Sequence, residues 1–202
     1  MNVPVVPFGK PRGERADAIR NRERLLRTVR DMIAEGGVDS VTMDGLAERA
    51  GLGKGTVFRR FGTRAGIFRA LLEDDEIRFQ EQVLSGPPPL GPGAEPVERL
   101  VAYGRARIDF LLDRHAIARA SFHRNRPEPV GNPSVSQLHI RVLLRQAAAI
   151  PGLDGVTIQL TAALEGPLLL YFSQPEIGDN AAAEISVFLG DAWQTLIERL
   201  VR

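Results

Sequence analysis

The chain has 202 residues, 44% of them hydrophobic and 25% charged, with a formal net charge of +1. That is enough apolar material to bury a core in one or two modest domains, and it excludes a disordered tail. There is no cysteine, which excludes disulfide frameworks, thiolate metal sites and cysteine nucleophiles and fits an intracellular, cytoplasmic home.

In chain order, residues 1–15 carry Pro4, Pro7, Pro11 and two glycines in place of a continuous apolar run. They do not resemble a secretory signal and read as a flexible arm. From Ala16 to Gly36 the residues Leu25, Leu26, Val29, Met32 and Ile33 form one stripe of a 3.6-residue period, with arginines on the opposite face. Gly36-Gly37 stops this helix. A short helix should follow Thr42 as N-cap and run to about Ala50, a third covers 54–61, and a fourth runs from Arg64 to about Val83 behind Thr63. Its core candidates are Ile67, Phe68, Leu71, Leu72 and Ile77. The Pro/Gly-rich stretch 85–96 then admits no helix, because proline lacks the N–H and clashes with the preceding turn.

Helical patterns resume at about 97–112, 114–122, 134–149, 155–173 and 180–201, with Ser134-Gln137 in the form of a capping box and Asp179 placed to cap the last helix. Nothing competes as a strand or repeat. The predicted fold is all-α with about nine helices: an arm at 1–15, a three-helix domain at 16–62, and a helical bundle at 63–202 whose first helix, 63–84, connects the two. The longest apolar run, Leu160 to Phe172, is interrupted by Glu165, Gly166 and Pro167 and is too short to span a bilayer, which takes about 20 residues.

Charge is uneven. Residues 1–64 hold 13 Lys and Arg against 8 Asp and Glu, whereas residues 65–202 hold 13 against 17. A basic head on an acidic body points to a polyanionic partner for the head. In that head, Ala47, Gly51 and Val57 are spaced as a helix-turn-helix requires: a small residue where two helices cross, a left-handed turn residue four positions on, and an apolar wedge completed by Leu46 and Leu52.

The run from Val41 to Phe61 continues into Gly62-Thr63-Arg64-Ala65-Gly66-Ile67-Phe68, and over residues 19–75 it resembles the signature of the TetR family of transcriptional regulators. The chain departs from that pattern at Gly53, where the family usually has a serine cap, at Phe58 in place of tyrosine, at Arg60 where histidine is frequent, and at Thr63-Arg64 in place of Ser-Lys. The resemblance implies that the third helix enters the DNA major groove with Lys54, Gly55, Thr56 and Arg59 facing the duplex. Arg59 suits bidentate readout of guanine, and Phe58 is left a thymine-methyl or packing contact. Thr42, Arg60 and Arg64 are assigned to phosphates. Lys10, Arg12 and Arg15 read either as a minor-groove arm or as a tail without a role.

For the second half the resemblance implies a homodimer and a small-molecule effector, released or bound in step with a DNA operator. The expected interface residues are Leu160, Leu164, Leu168, Phe188, Trp193 and Leu196. The expected cavity is lined by Tyr103, Arg107, Phe110, Leu111, Phe122, Leu143 and Phe172. His115, His123 and His139 have no metal-motif spacing, and no G-x-S-x-G, phosphate loop or dinucleotide fingerprint is present, so neither a metal, a cofactor nor an enzyme is expected. A small-molecule carrier and an architectural DNA binder are the rival readings of the same fold.

Overall fold

The computed structural model describes residues 12–121, 135–171 and 179–202, with the side chains of 12–16, 167–171 and 179–180 left out. Among the described residues there are nine α-helices, one 3-10 turn and no strand. They are α1 (Arg12–Gly36), the turn Val38–Ser40, α2 (Met43–Ala50), α3 (Lys54–Phe61), α4 (Arg64–Ser85), α5 (Pro96–Asp113), α6 (His115–Ser121), α7 (Val135–Ala147), α8 (Leu153–Tyr171) and α9 (Asp179–Leu200). The backbone forms two compact units, Met1–Leu71 and Leu72–Arg202. The division falls inside α4 instead of before it, because Ile67, Phe68 and Leu71 are buried in the core of the first unit.

In the first unit, Leu25, Leu26, Val29 and Met32 of α1 are buried together with Val41, Leu46, Ala47 and Val57. α1 starts at Arg12, earlier than its apolar stripe suggests. The first N–H groups of any helix lack intrahelical partners, so Gly13 in the opening turn costs little there. Arg12 and Arg15 therefore stand in α1 and not in an arm, while Lys10 lies outside the described residues. Thr42 caps α2 by accepting the Gly45 N–H at 3.0 Å. α2 ends at Gly51, whose φ of 60° is left-handed. The Gly51 and Leu52 N–H groups then return to the carbonyls of Glu48 and Ala47 at 3.0 and 2.9 Å, which satisfies groups the helix end leaves open.

The second unit is organised around α5, which packs on α7, α8 and α9. It comes close to α9 at Gly104, where an added Cβ would stand 2.0 Å from Trp193 Nε1. The Trp193 indole N–H donates to the Leu100 carbonyl at 2.8 Å, so both the ring and its one polar atom are accommodated. Phe79, Tyr103 and Phe110 form an aromatic cluster beside Arg107. One expectation fails here. Ile77 is 52% exposed, because α4 buries the face of Asp75, Phe79 and Val83, spaced four apart, and Ile77 lies on the other side. The described part of α9 begins at Asp179. Ser134 lies outside the described residues. No described helix is long and apolar enough to cross a membrane.

Candidate nucleic-acid interface, cavity and apolar face

α3 carries no acidic residue and buries only Val57 completely. That single anchor leaves Lys54, Gly55, Phe58, Arg59 and Arg60 exposed, with Thr56 half-buried. A Cβ on Gly55 would meet nothing within 4 Å, so the backbone there faces open space where a groove wall can approach. Gly53 precedes the helix in extended backbone with no side-chain cap, and its carbonyl accepts the Thr56 N–H at 2.8 Å. Lys54 Nζ rests 2.9 Å from Asp44 and Arg59 Nε donates to the Gly55 carbonyl at 3.2 Å. Both contacts are exposed, so either can be exchanged for a polyanion at little cost. Phe58 is 64% exposed, an apolar plate beside the Arg59 cation. The Thr42 hydroxyl accepts from α2 but keeps its own proton to donate. Arg60 lines a cleft between α1 and α3 with Asn21, Arg22 and Thr56.

Arg64 is anchored within the first unit. Its Nε donates to the Val41 carbonyl at 2.7 Å and one terminal nitrogen donates to the Val38 carbonyl at 2.6 Å. The guanidinium also lies 5.0 Å from the Phe68 ring. Its planar fork closes the carbonyls left by the turn between α1 and α2, and its side chain stays 40% exposed. Sequence reasoning also missed Gly66, at which a Cβ would stand 1.9 Å from the Phe61 carbonyl oxygen. The signal was a glycine in the first turn of an otherwise well-patterned helix.

In the second unit a cavity of about 250 Å³ is lined by α4, α5 and α7 residues, including Glu76, Phe79, Val83, Tyr103, Leu138, His139 and Val142. Of the residues expected to line it, only Tyr103 does. Phe110 and Leu143 are core, Leu111 packs against that core, and Arg107 is buried between Glu76 at 2.6 Å and Glu165 at 3.5 Å. Burial works against the Arg107 charge, but Glu76 outweighs it through charge and a hydrogen bond, and the guanidinium is held protonated. Phe122 and Phe172 lie outside the described residues. The α7 wall was legible: Val135, Leu138, His139 and Val142 repeat at i, i+3, i+4 and i+7. Burial pushes the Tyr103 hydroxyl pKa up against a hydrogen bond to Ser136. The His139 ring lies 4.8 Å from that of Tyr103, and burial, with Arg99 nearby, lowers its pKa to about 4. No three His, Asp or Glu among the described residues are grouped as metal ligands; His123 lies outside them.

The face expected to meet a second subunit divides. Leu160, Leu164 and Trp193 are at most 4% exposed within this chain, and Leu164 and Trp193 line a depression together with Leu196. Phe188 is 72% and Leu196 43% exposed, joined by Ile158 and Val187 at 56% and 60%. The same depression is also lined by Ile108, Ala163, Leu189 and Ala192. The side chain of Leu168 is outside the described residues.

One long helix and two short ones around one apolar core, with a left-handed glycine between α2 and α3 and a cationic outer face on α3, make the first unit a helix-turn-helix domain. Residues 25–71 match the family model described as bacterial regulatory proteins, tetR family. It is 31% identical over 68 residues to an HTH-type transcriptional regulator of Staphylococcus aureus, which covers 34% of this chain and 37% of that protein. It is 32% identical over 65 residues to the HTH-type transcriptional repressor AcnR of Corynebacterium efficiens, covering 32% and 35%. The matches thus span little more than a third of each relative. A crystal structure of a TetR-like transcriptional regulator from Rhodococcus is similar at 19% identity and a TM-score of 0.45, over 87% of this chain and 95% of that one.

Proposed function

We propose that the chain is a DNA-binding transcriptional regulator that reads a pseudo-palindromic operator as a homodimer. The observation that carries this reading is the outer face of α3, where Lys54, Phe58 and Arg59 flank the open backbone of Gly55. Arg59 reads a guanine, Phe58 packs on a thymine methyl, and Lys54, Thr42 and Arg60 hold phosphates. One eight-residue helix contacts too few base pairs for useful selectivity, and a two-fold partner doubles the readout over half-sites about 34–36 Å apart or a multiple of that. The exposed residues Ile158, Val187, Phe188 and Leu196 on α8 and α9 support such a pairing.

Repression is the sense we propose, because AcnR of two Corynebacterium species is described as a repressor. Release follows binding of a small, largely apolar effector in the α4–α5–α7 cavity. α4 supports this coupling, since its start supplies Ile67, Phe68 and Leu71 to the first unit and its later turns supply Glu76, Phe79 and Val83 to the cavity. Ligand and operator then weaken each other by the same factor, about 5–150-fold. The chain works in the cytoplasm without catalysing a reaction. Fluorescence anisotropy of the full chain on the duplex upstream of its own gene tests the reading. The expected result is binding at least 1000-fold tighter than to random duplex, in the usual range of about 10³–10⁷. Equal affinity for both points to an architectural binder, and no binding to a carrier.

A further inference from the structure

The polar groups around the α4–α5–α7 cavity are nearly all engaged. Glu76 takes Arg107 on one carboxylate oxygen at 2.6 Å and the Gln80 side-chain amide on the other at 3.3 Å. Tyr103 is hydrogen-bonded to Ser136. Arg99, the nearby cation, reaches the Val83 carbonyl at 3.4 Å and does not line the cavity. Among the side chains that line the cavity, His139 stands apart, its Nε2 buried without a hydrogen-bond partner. The rest of the wall is apolar, from Phe79 and Val83 on one side to Leu138 and Val142 on the other, and it opens past Leu84 and Val142, which are 65% and 53% exposed.

We propose that this cavity takes a small, uncharged, mainly apolar molecule bearing one hydroxyl, which pairs with Nε2 of His139. This assigns a ligand class to the effector reading above and depends on that reading for its regulatory meaning. A buried nitrogen without a partner is costly, and a ligand that satisfies it gains what the empty site lacks. Because the imidazole stays neutral at ordinary pH, Nε2 is a donor in one tautomer and an acceptor in the other, and a hydroxyl matches both. A carboxylate would have to draw Arg107 away from Glu76, and an ammonium would have to draw Glu76 away from Arg107. Either would break the Glu76–Arg107 ion pair, leaving Arg107 only Glu165 at 3.5 Å or leaving the half-buried Glu76 without its cation. The volume of about 250 Å³ exceeds the roughly 150 Å³ that holds benzene, which sets the ligand at about ten to fifteen heavy atoms.

The test uses four probes of one shape on the full chain at pH 7: 2-naphthol, naphthalene, 2-naphthoate and the 2-naphthylmethylammonium ion, followed by fluorescence and calorimetry. The naphthol should bind at one per chain, at least 5-fold tighter than naphthalene and than either ion. His139→Phe keeps a ring of similar size and should erase the preference of naphthol over naphthalene without weakening naphthalene. Val142→Trp, at an exposed wall position that does not threaten folding, should weaken every probe. Failure of the naphthol to bind up to its solubility limit overturns the proposal. So does naphthoate binding as tightly as naphthol, an unchanged preference in His139→Phe, or unchanged binding in Val142→Trp. DNA release is measured separately. Naphthol bound without any effect on DNA supports the cavity assignment and contradicts the effector reading, whereas specific DNA binding by a chain that takes no naphthol overturns the cavity assignment alone.

Discussion

Arg59 on α3 and Arg107 on α5 are the same side chain in opposite settings. The first is exposed and held only by a carbonyl of its own helix. The second is 8% exposed, lies between two carboxylates and stacks near two phenylalanine rings. The contrast extends to the whole of each unit. In the first, Ile19 and Phe58 are the exposed ones among the described large apolar side chains, and cations stand outside. In the second, charges are internal at Asp75 and Arg107, with Arg114 half-buried against Asp75, while Leu84, Leu138, Val142, Val187 and Phe188 remain outside. An outward cation is available to a polyanion, and an outward apolar surface to a partner or ligand. Charge and hydrophobicity therefore report function here by where they are uncovered, not by how much of each the chain holds.

The largest break in this comparison should come from the core of the second unit. Trp193→Ala should destabilise that unit by about 3–5 kcal/mol in urea denaturation, and Gly104→Ala should act in the same direction because its Cβ would meet the indole. Phe188→Asp, by contrast, should leave the denaturation midpoint of the monomer nearly unchanged and shift sedimentation from dimer to monomer. A matched pair in the first unit sharpens the point. Arg64→Ala should lower its stability by about 1–3 kcal/mol, since two carbonyls lose a charged donor. Arg59→Ala should leave stability intact and cost about 1–3 kcal/mol on a specific DNA site.

The smallest effect concerns pH. His139 titrates near 4 in the folded chain against 6.5 unperturbed, so between these values the unfolded chain binds more protons than the folded one. Stability should be full above pH 6.5 and decline as pH falls toward 4. His139→Phe should flatten the part of that decline between pH 6.5 and 5, above the range where carboxylates titrate; unchanged profiles would contradict a buried neutral imidazole.

Much of the fold was legible because α1 to α4 are written in local signals: a capping Thr42, a stop at Gly51, and a stripe from Leu25 to Met32. The outer face of α3 followed, since Val57 alone turns inward. What was not legible depends on contacts distant in sequence. Nothing local says that Arg64 closes carbonyls 23 and 26 residues away, or that Gly104 faces Trp193. The lining of the α4–α5–α7 cavity was hidden for the same reason. Phe110 and Leu143 look like lining by type, yet their helices turn them into the core, and α4's later turns supply the wall through Phe79 and Val83.

In the proposed function, paired α3 helices read DNA sequence through their exposed face. Selection of bound duplexes from a randomised library by the full chain, repeated with Arg59→Ala, tests it most directly. The account predicts a two-fold symmetric consensus whose half-sites are one helical turn apart or a multiple of it, with a guanine preference that disappears in Arg59→Ala. Enrichment of no sequence, or a consensus that Arg59→Ala selects unchanged, would contradict it.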